Sequence, residues 1–226
     1  MEDMDEPQRA TMLGELARHL SGRDVGHPLR VGIDGVCGSG KSTIARELAN
    51  ELAALGRPVI RLDSDGFHHE RAVRYRNVNA ARGYYENAYD LESLRDNVLI
   101  PLGPGGSRRF ATRIHDLATD RVESEWADAP ADAIVLFDCT FIQRGDLRDH
   151  WDEVIYLDVD LDRAQARGVA RDATQLGGAD AATAAYESRY MAACRIYLDE
   201  EHPLSRASIV VDNDELGAAS WRAQTA

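Results

Sequence analysis

Lysine is almost absent from this sequence. Among its 226 residues there are 26 basic side chains, and 25 of them are arginine. The single lysine, Lys41, directly follows the glycine-rich segment 35–40. A general preference for arginine accounts for the rarity of lysine but not for the position of the exception. That position indicates a specific use for a flexible ammonium group.

The sequence also lacks a positive net charge. Its 39 acidic residues outnumber the 26 basic ones and leave a formal net charge of −13 at pH 7. A field of this sign repels phosphate backbones and anionic lipids. We therefore expect neither nucleic acid nor a membrane surface as a partner. An anionic ligand has to be bound by a local pocket that works against this field.

Long apolar runs, targeting signals and paired cysteines are missing as well. Cys37, Cys139 and Cys194 stand far apart and form neither a disulfide framework nor a zinc pattern, which is typical of a reducing cytosol. No apolar run approaches the roughly 18 residues that span a bilayer. Residues 1–7 lack the basic and apolar regions of a secretory signal. These features predict a soluble cytoplasmic protein.

The composition is that of a folded domain, with 44% apolar and 29% charged residues. The length predicts one domain with a modest extension. We assign residues 1–29 to an acidic tail and a short amphipathic helix, and residues 30–226 to the main domain. The helix is expected to pack on the outside of the domain or to bind a partner. Its apolar residues at helical spacing are Met12, Leu13, Leu16, Ala17 and Leu20.

Short apolar segments alternate with helical patterns through the main domain. This alternation predicts an α/β fold, with a parallel sheet covered by helices on both faces. Segment 101–128 breaks the rhythm, because proline and glycine punctuate its start and two short strand patterns follow. It predicts a small β-hairpin inserted at the sheet's edge. The five predicted strands of the sheet are 29–34, 58–62, 134–137, 154–157 and 208–211.

A phosphate-binding loop is predicted at Gly35–Ser42, which matches the pattern G-x-x-x-x-G-K-[ST]. An apolar strand precedes it and a helical pattern follows it, as this motif requires. Its glycines let backbone N–H groups surround a phosphate, and the helix N-terminus adds a positive dipole end. Lys41 can reach the β- and γ-phosphates, and Ser42 offers a hydroxyl to Mg²⁺. The predicted nucleotide-binding residues are Gly35, Val36, Cys37, Gly38, Ser39, Gly40, Lys41, Ser42 and Thr43.

Asp138 directly follows the third predicted strand. An isolated aspartate there is often only a cap, but next to a phosphate loop it is predicted to hold the magnesium ion together with Ser42. The only lysine is already part of the loop, so the Asn/Thr-Lys-x-Asp motif of GTP switches is absent. This excludes an ordinary GTPase, and we expect ATP and Mg²⁺ as the cofactors.

Two carboxylates, Asp63 and Asp65, follow the second predicted strand. In an open parallel sheet, the carboxyl end of a strand beside the phosphate loop faces the ligand crevice. Carboxylates there can orient or deprotonate an attacking hydroxyl. The alternative is a solvated acidic turn.

Three arginines are spaced four residues apart at 163, 167 and 171, which places them on one face of a helix. Gly177-Gly178 follows as a hinge. This predicts a helical lid over about residues 161–180, whose cations stabilise transition-state charge when it closes. For Arg163, the alternative is an ion pair with Asp160 or Asp162 on a surface helix.

An ordered set of motifs over about residues 30–213 resembles the uridine kinase and phosphoribulokinase group of P-loop kinases. The resemblance implies a doubly wound, five-stranded parallel sheet of order 2-3-1-4-5. It implies Asp65 as the general base on an acceptor hydroxyl, and catalytic roles for Arg167 and Arg171 in the lid beside that of Lys41. The matching segments are 35–43, Asp65-x-Phe67, Ala88-Tyr89-Asp90, Arg167-x-x-x-Arg171-Asp172, and Pro203 followed by 207–211.

The acceptor side departs from the uridine kinase pattern. His115-Asp116 and Asp120 stand where that pattern has an aromatic-Asp pair and then a histidine that hold the pyrimidine. Tyr84 replaces an aspartate that would hold the ribose. The string Asp-Gly-Phe-His at 65–68 also resembles pantothenate kinase and related sugar or metabolite kinases.

Residues 71–85 carry four arginines and no acid. They either bind an anionic acceptor or form a solvated basic helix. The candidate acceptor-binding residues are Asp63, Phe67, Arg74, Arg82, Tyr84, His115, Asp116 and Asp120.

Together these features predict an ATP-dependent phosphotransferase that acts on a hydroxyl of a small-molecule acceptor, with a nucleoside 5′-hydroxyl such as that of uridine as the best-supported acceptor. One alternative is a pantothenate or sugar-like metabolite kinase. Another is a regulatory P-loop protein that contacts a partner through its N-terminal helix. Asp65 and the lid arginines favour catalysis, because a switch needs neither. The sequence leaves open whether the chain forms a homo-oligomer.

Overall fold

A computed structural model describes residues 6–224, with side chains from residue 8 onward. The acidic tail predicted at the start of the chain lies mostly outside these residues. The described part contains eight strands in two sheets. They are β1 Leu29–Gly35, β2 Val59–Asp63, β3 Arg109–Asp116, β4 Arg121–Asp128, β5 Ile134–Asp138, β6 Glu153–Asp158, β7 Ile209–Asp212 and β8 Ser220–Ala223.

The helices lie between the strands and cover both faces of the larger sheet. Short π-helical segments at 95–99 and 186–190 connect α5 to α6 and α8 to α9, and 3₁₀ turns occupy 64–67 and 145–150. None of the helices in the described part of the chain is long and apolar enough to cross a membrane. The helices are α1 Glu6–Ser21, α2 Lys41–Ala54, α3 Arg71–Arg74, α4 Ala80–Asn87, α5 Leu91–Leu94, α6 Ile100–Leu102, α7 Leu161–Asp172, α8 Ala179–Ala185, α9 Met191–Glu201 and α10 Pro203–Arg206.

The larger sheet has the order β2-β5-β1-β6-β7-β8. Its first five strands are parallel and follow the predicted order 2-3-1-4-5. The sixth strand, β8, pairs antiparallel with β7 and was not predicted. It is a four-residue edge strand, Ser-Trp-Arg-Ala, with no buried residue, so its sequence carries no apolar run.

The two faces of the sheet form two apolar layers, because successive side chains of a strand point to opposite sides. On one side Leu29, Val31 and Ile33 of β1 pack with α1 and α2. On the other side Val135 and Phe137 of β5 pack with the remaining helices. All residues of β1 and β5 are buried, as expected for central parallel strands.

The five apolar residues predicted for the N-terminal helix are all buried in α1, which packs against α2 and β8. The helix therefore shares its apolar layer with the sheet. The division of the chain at residue 29 stays a prediction.

The hairpin of β3 and β4 forms at the predicted place but is not attached to the edge of the main sheet. It is a separate two-stranded sheet that packs on the 3₁₀ turn 64–67 and the segment 95–99. A Cβ atom on Gly66 would lie 2.9 Å from Cβ of Arg113, so the hairpin and the turn approach closely. The hairpin is therefore held by side-chain packing above the sheet, not by strand pairing.

Asp34 links the sheet to α9 through a buried hydrogen-bond network. Its carboxylate accepts from Tyr197 Oη at 2.5 Å, from Gln143 Nε2 at 2.9 Å and from Gly35 N at 2.8 Å. Burial raises the pKa of Asp34, while these donors stabilise its charged form. Residue 194 of the same helix contributes a second link, since Cys37 N donates to Cys194 Sγ at 3.3 Å.

Replacing Tyr197 by phenylalanine removes one donor from the buried carboxylate of Asp34. We expect Tyr197→Phe to lower the free energy of unfolding by about 1–3 kcal/mol, because a buried acceptor loses a partner. Urea denaturation measures this. The matched control is Tyr75→Phe, since the Tyr75 side chain is 53% exposed. Equal effects of the two substitutions would contradict the role of the Asp34 network.

Candidate active site

The segment between β1 and α2 forms a tight loop that wraps toward the start of α2 at Lys41. Gly38 and Gly40 have φ angles of 82° and 96°, in the left-handed region that favours glycine. A Cβ atom on Gly38 would lie 2.0 Å from the carbonyl oxygen of Ala164. A Cβ atom on Gly40 would lie 2.9 Å from Asn213 Nδ2. The two glycines are therefore required by backbone geometry and by close contact with neighbouring segments.

Lys41 bends back over the loop that precedes it. Its Nζ atom donates to the carbonyl oxygens of Gly35 at 3.0 Å and Val36 at 2.9 Å. The loop is also held from outside, because Asn213 Nδ2 donates to Ser39 O at 2.8 Å. The ammonium group thus lies against a loop whose backbone is held in place, which suits phosphate binding.

Ser42 and Asp138 meet beside this loop. Ser42 Oγ donates to Asp138 Oδ2 at 2.5 Å, while Asp138 Oδ1 is buried and has no hydrogen-bond partner. Burial raises the pKa of Asp138. A cation bound nearby would oppose this shift, because it favours the charged carboxylate. A hydroxyl oxygen and a free carboxylate oxygen fit the hard, oxygen-preferring Mg²⁺ ion.

Asp63 and Asp65 have different positions at the end of β2. Asp63 caps the 3₁₀ turn, accepting from Asp65 N at 3.1 Å, and lies outside the cavity. Asp65 lines the cavity beside Lys41 and Ser42. Partial desolvation in the cavity raises the pKa of Asp65, although 73% of its side chain is exposed, and the carboxylates of Asp63 and Asp138 raise it further. A carboxyl group with a raised pKa is a stronger base once ionised.

His68 lies next to Asp65 and was not among the predicted site residues. Its Nδ1 lies 2.9 Å from Ala88 O and its Nε2 lies 3.8 Å from Asp65 Oδ1. Burial lowers the pKa of His68 to about 4, so the ring is neutral near pH 7. A neutral ring bonded to a carbonyl oxygen carries its proton on Nδ1, which leaves Nε2 as an acceptor facing the carboxylate. The sequence feature that could have identified His68 is the string Asp-Gly-Phe-His at 65–68, which ends at this residue.

A cavity of about 520 Å³ extends from the phosphate loop. Its size is suited to a small-molecule ligand. Aromatic side chains from two distant segments form much of its wall, and sequence reasoning found only Tyr84 among them. Tyr186, Arg189 and Tyr190 stand at helical spacing, a signal that could have placed them on one face. The predicted site residues that line the cavity are Cys37, Gly38, Gly40, Lys41, Ser42, Thr43, Asp65, Arg74, Tyr84, Asp138 and Arg171.

Three predicted acceptor residues are used elsewhere in the structure. Arg82 lies outside the cavity, where its guanidinium pairs with Glu200 at 2.8 Å. Phe67 is buried in the core, with its ring edge-to-face against Phe137 at 5.4 Å. Asp116 caps the hairpin turn by accepting from backbone N–H groups of residues 118 and 119. Distant parts of the chain thus hold Arg82 and Phe67, whereas Asp116 binds the backbone of its own turn.

His115 and Asp120 also lie outside the cavity lining but are connected to it. His115 is buried, and its Nε2 lies 3.2 Å from Asp120 Oδ1. The same carboxylate accepts from Arg74 Nη2 at 3.2 Å and from Arg71 N at 2.9 Å. The hairpin therefore positions Arg74, while its own polar groups are bonded to one another.

The arginines of α7 do not act together in this structure. Arg171 lines the cavity and pairs with Asp172 at 2.7 Å. Arg167 lies outside the cavity lining, because carbonyl oxygens of residues 213 and 214 bind its guanidinium. Arg163 pairs with Asp214 and Glu215, not through its side chain with Asp160 or Asp162 as considered from the sequence. Equal spacing on the helix thus leads to three different environments.

The loop, the acidic residue beside it and the parallel sheet define a P-loop nucleotide-binding protein. Residues 30–214 match the sequence model of the Phosphoribulokinase / Uridine kinase family. The chain belongs to this family of P-loop kinases.

Individual relatives are distant. A uridine kinase of Clostridium botulinum (strain Langeland) is 26% identical over 153 residues, which cover 66% of this chain and 71% of that protein. Uridine-cytidine kinase 2-B of Danio rerio is 24% identical over 185 residues, which cover 74% and 68%. The structure of a possible uridine kinase from Bacillus stearothermophilus superposes with a TM-score of 0.69 at 24% identity, over 88% of this chain and 97% of that one. The last similarity supports the fold.

The different environments of Arg171 and Arg167 predict different effects of their removal. We expect Arg171→Ala to lower kcat by about 10²-fold, since losing one charge-stabilising donor costs this much in other enzymes. Arg167→Ala should instead weaken ATP binding and lower the melting temperature, because its guanidinium holds the backbone after β7. Steady-state kinetics and thermal melting measure both effects, with Arg195→Ala, at an exposed position on α9, as the control. A larger loss of kcat in Arg167→Ala would show that the two roles are reversed.

Proposed function

We propose that this protein transfers the γ-phosphoryl group of ATP to a hydroxyl group of a small metabolite. The observation that carries the proposal is the position of Asp65, which lines the same cavity as Lys41, Ser42 and Asp138. A carboxylate with a raised pKa therefore lies beside the phosphate loop and the oxygens suited to a metal. A nucleotide switch needs no such group.

The phosphate end of the cavity positions ATP. Backbone N–H groups of the loop and the N-terminus of α2 bind the phosphates, and Lys41 offsets charge between the β- and γ-phosphates. Ser42 and the unpartnered oxygen of Asp138 would hold Mg²⁺, which neutralises charge on the phosphate oxygens when bound. These contacts orient the γ-phosphorus toward the acceptor side.

Transfer forms a bond between the acceptor oxygen and the γ-phosphorus while the bond from that phosphorus to the β,γ-bridging oxygen breaks. ADP leaves with that bridging oxygen, and the proton of the acceptor hydroxyl passes to the carboxylate of Asp65. The transition state of phosphoryl transfer is loose, so much of the effect of Asp65 is to position the hydroxyl in line. Arg171 adds positive charge at the same cavity.

A nucleoside remains one candidate acceptor, since the relatives are named uridine kinases. The aromatic wall of Tyr84, Tyr89 and Tyr190 supports it, because such rings can stack on a base. A second candidate is a pantothenate- or sugar-like metabolite. The hairpin favours this candidate. His115 and Asp120 stand where the uridine kinase pattern has the residues that hold the pyrimidine, but they are bonded to each other and do not line the cavity.

Replacing Asp65 by asparagine keeps the shape of the side chain but removes the base. We expect Asp65→Asn to lower kcat by roughly 10²–10⁴-fold, as is usual for the loss of a general base, with little change in ATP affinity. Acceptor-dependent release of ADP measures kcat. The matched control is Asp63→Asn, which alters a neighbouring carboxylate outside the cavity. Full activity of Asp65→Asn together with an inactive Asp63→Asn would reverse the two roles.

The same group sets the acid limb of the pH profile. Only the ionised carboxylate accepts a proton, so turnover falls as the pH decreases through the pKa of Asp65. Because partial desolvation and the neighbouring carboxylates of Asp63 and Asp138 raise this pKa, the fall should begin at a higher pH than for an ordinary aspartate. A profile of kcat against pH with no acid limb above the usual range of aspartate would contradict the assignment.

The metal assignment predicts that Asp138→Asn needs more Mg²⁺ for half-maximal activity, by about tenfold or more, since a neutral amide oxygen binds a hard cation more weakly. Binding of Mn²⁺ to the ATP complex, followed by electron paramagnetic resonance, gives a readout independent of turnover. Asp132→Asn, at an exposed position, is the control. Unchanged metal affinity in Asp138→Asn would exclude this residue as a ligand.

A further inference from the structure

Three guanidinium groups surround one tyrosine ring at the acceptor side. The Cζ atoms of Arg71, Arg74 and Arg189 lie 5.4 Å, 5.8 Å and 4.3 Å from the centroid of the Tyr75 ring. Among the described residues, the only carboxylate within ion-pair distance of these three groups is Asp120, which pairs with Arg74. The cluster therefore carries excess positive charge in a chain whose net charge is −13.

Arg189 is the member of this cluster that lines the cavity without a protein counter-ion. Its guanidinium forms no ion pair or hydrogen bond with any residue in the part of the chain that the structure describes. Its Nε atom is buried without a partner, as is Nε of Arg74. The guanidinium is held by ring contacts alone, to Tyr75 and, at 5.2 Å, to Tyr84. Cation–π contacts orient a guanidinium without neutralising it.

Other arginines show that acids are available in this chain. Arg82 pairs with Glu200 at 2.8 Å and Arg95 pairs with Asp96 at 2.7 Å, both at the surface. Neither lines the main cavity. Arg189 differs from Arg82 and Arg95 in having no carboxylate partner and in lining the main cavity, where a ligand would enter. A partly buried charge is costly unless it is paired, so the partner is expected to arrive with the ligand.

We propose that the acceptor of this kinase carries an anionic oxyacid group, a carboxylate or a phosphate, which Arg189 binds together with Arg74 while the acceptor hydroxyl lies at Asp65. The planar donors of a guanidinium match both oxyacid groups in pairs of hydrogen bonds. The position of the acceptor hydroxyl at Asp65 rests on the proposed function. The binding of an anion by Arg189 does not depend on it. An uncharged nucleoside would leave Arg189 unpaired and is disfavoured as the acceptor.

Anion binding can be tested without turnover. The phosphate loop is first saturated with Mg²⁺ and a non-hydrolysable ATP analogue, and inorganic phosphate is then titrated by calorimetry. We expect Arg189→Gln to weaken phosphate binding by about 10- to 100-fold, the usual effect of losing a charge-assisted pair, and Arg189→Lys to restore part of it. Arg195→Gln, an exposed arginine on α9, is the matched control. Thermal melting of each variant establishes that it is folded.

A panel of matched acceptors distinguishes the two anion types. Pantothenate against panthenol and D-glycerate against glycerol test a carboxylate, fructose 1-phosphate against fructose tests a phosphate, and uridine represents an uncharged nucleoside. We expect ADP release with an anionic member and a Michaelis constant for it that rises at least about tenfold in Arg189→Gln. The neutral member of the same pair should show no such dependence on residue 189.

The outcomes separate this proposal from the kinase activity. Phosphate binding that is equal in the wild type and Arg189→Gln, or uridine turnover unaffected by Arg189→Gln, would overturn the anionic acceptor while leaving the kinase activity in place. Arg189-dependent phosphate binding with no ADP release for any acceptor would support the anion site and count against the proposed transfer reaction.

Discussion

The pairing of β5 with its two parallel neighbours is the constraint on which the active site depends. Ile33 of β1 lies opposite Asp138, and Asp63 of β2 lies opposite the same residue. The carboxyl ends of three strands therefore meet at one edge of the sheet. This brings the phosphate loop, the carboxylate beside Ser42 and the turn that carries Asp65 together, although they are up to about a hundred residues apart in the chain.

Several polar contacts hold the phosphate loop in this arrangement from neighbouring helices and from the segment after β7. Asp34, next to the loop, is tied to Tyr197 of α9, and Asn213 after β7 holds the carbonyl oxygen of Ser39. Arg9 of α1 donates to Oδ1 of the same asparagine at 3.1 Å. The phosphate loop is thus supported by segments from the two ends of the described chain. Such supports restrict the loop to one conformation before nucleotide binds, which lowers the cost of ordering it.

Charge is distributed unevenly in the cavity. The carboxylates of Asp65 and Asp138 line the cavity together with Lys41 at the transfer end. Burial raises the pKa of Asp138, and partial desolvation and neighbouring carboxylates raise that of Asp65. Arg74 and Arg189 supply positive charge at the acceptor side. In a strongly acidic protein, this local excess can select an anionic ligand that the surface as a whole repels. In the proposed reaction, the pocket and not the global field would discriminate between acceptors.

The sequence by itself determined the features that depend on contiguous residues. The phosphate loop is one unbroken motif. The five parallel strands were predicted from alternating apolar segments, and their order was implied by a family resemblance. Asp138 was found because it directly follows a predicted strand, and Asp65 because it lies shortly after one and matches the family motif. The tertiary structure alone decided which other side chains reach the cavity. Arg171 and Arg189 line it, whereas Arg82 and Arg167 are held by residues more than forty positions away in the chain. A long flexible side chain is directed by the partner that fold topology brings to it, and local spacing carries no information about that partner.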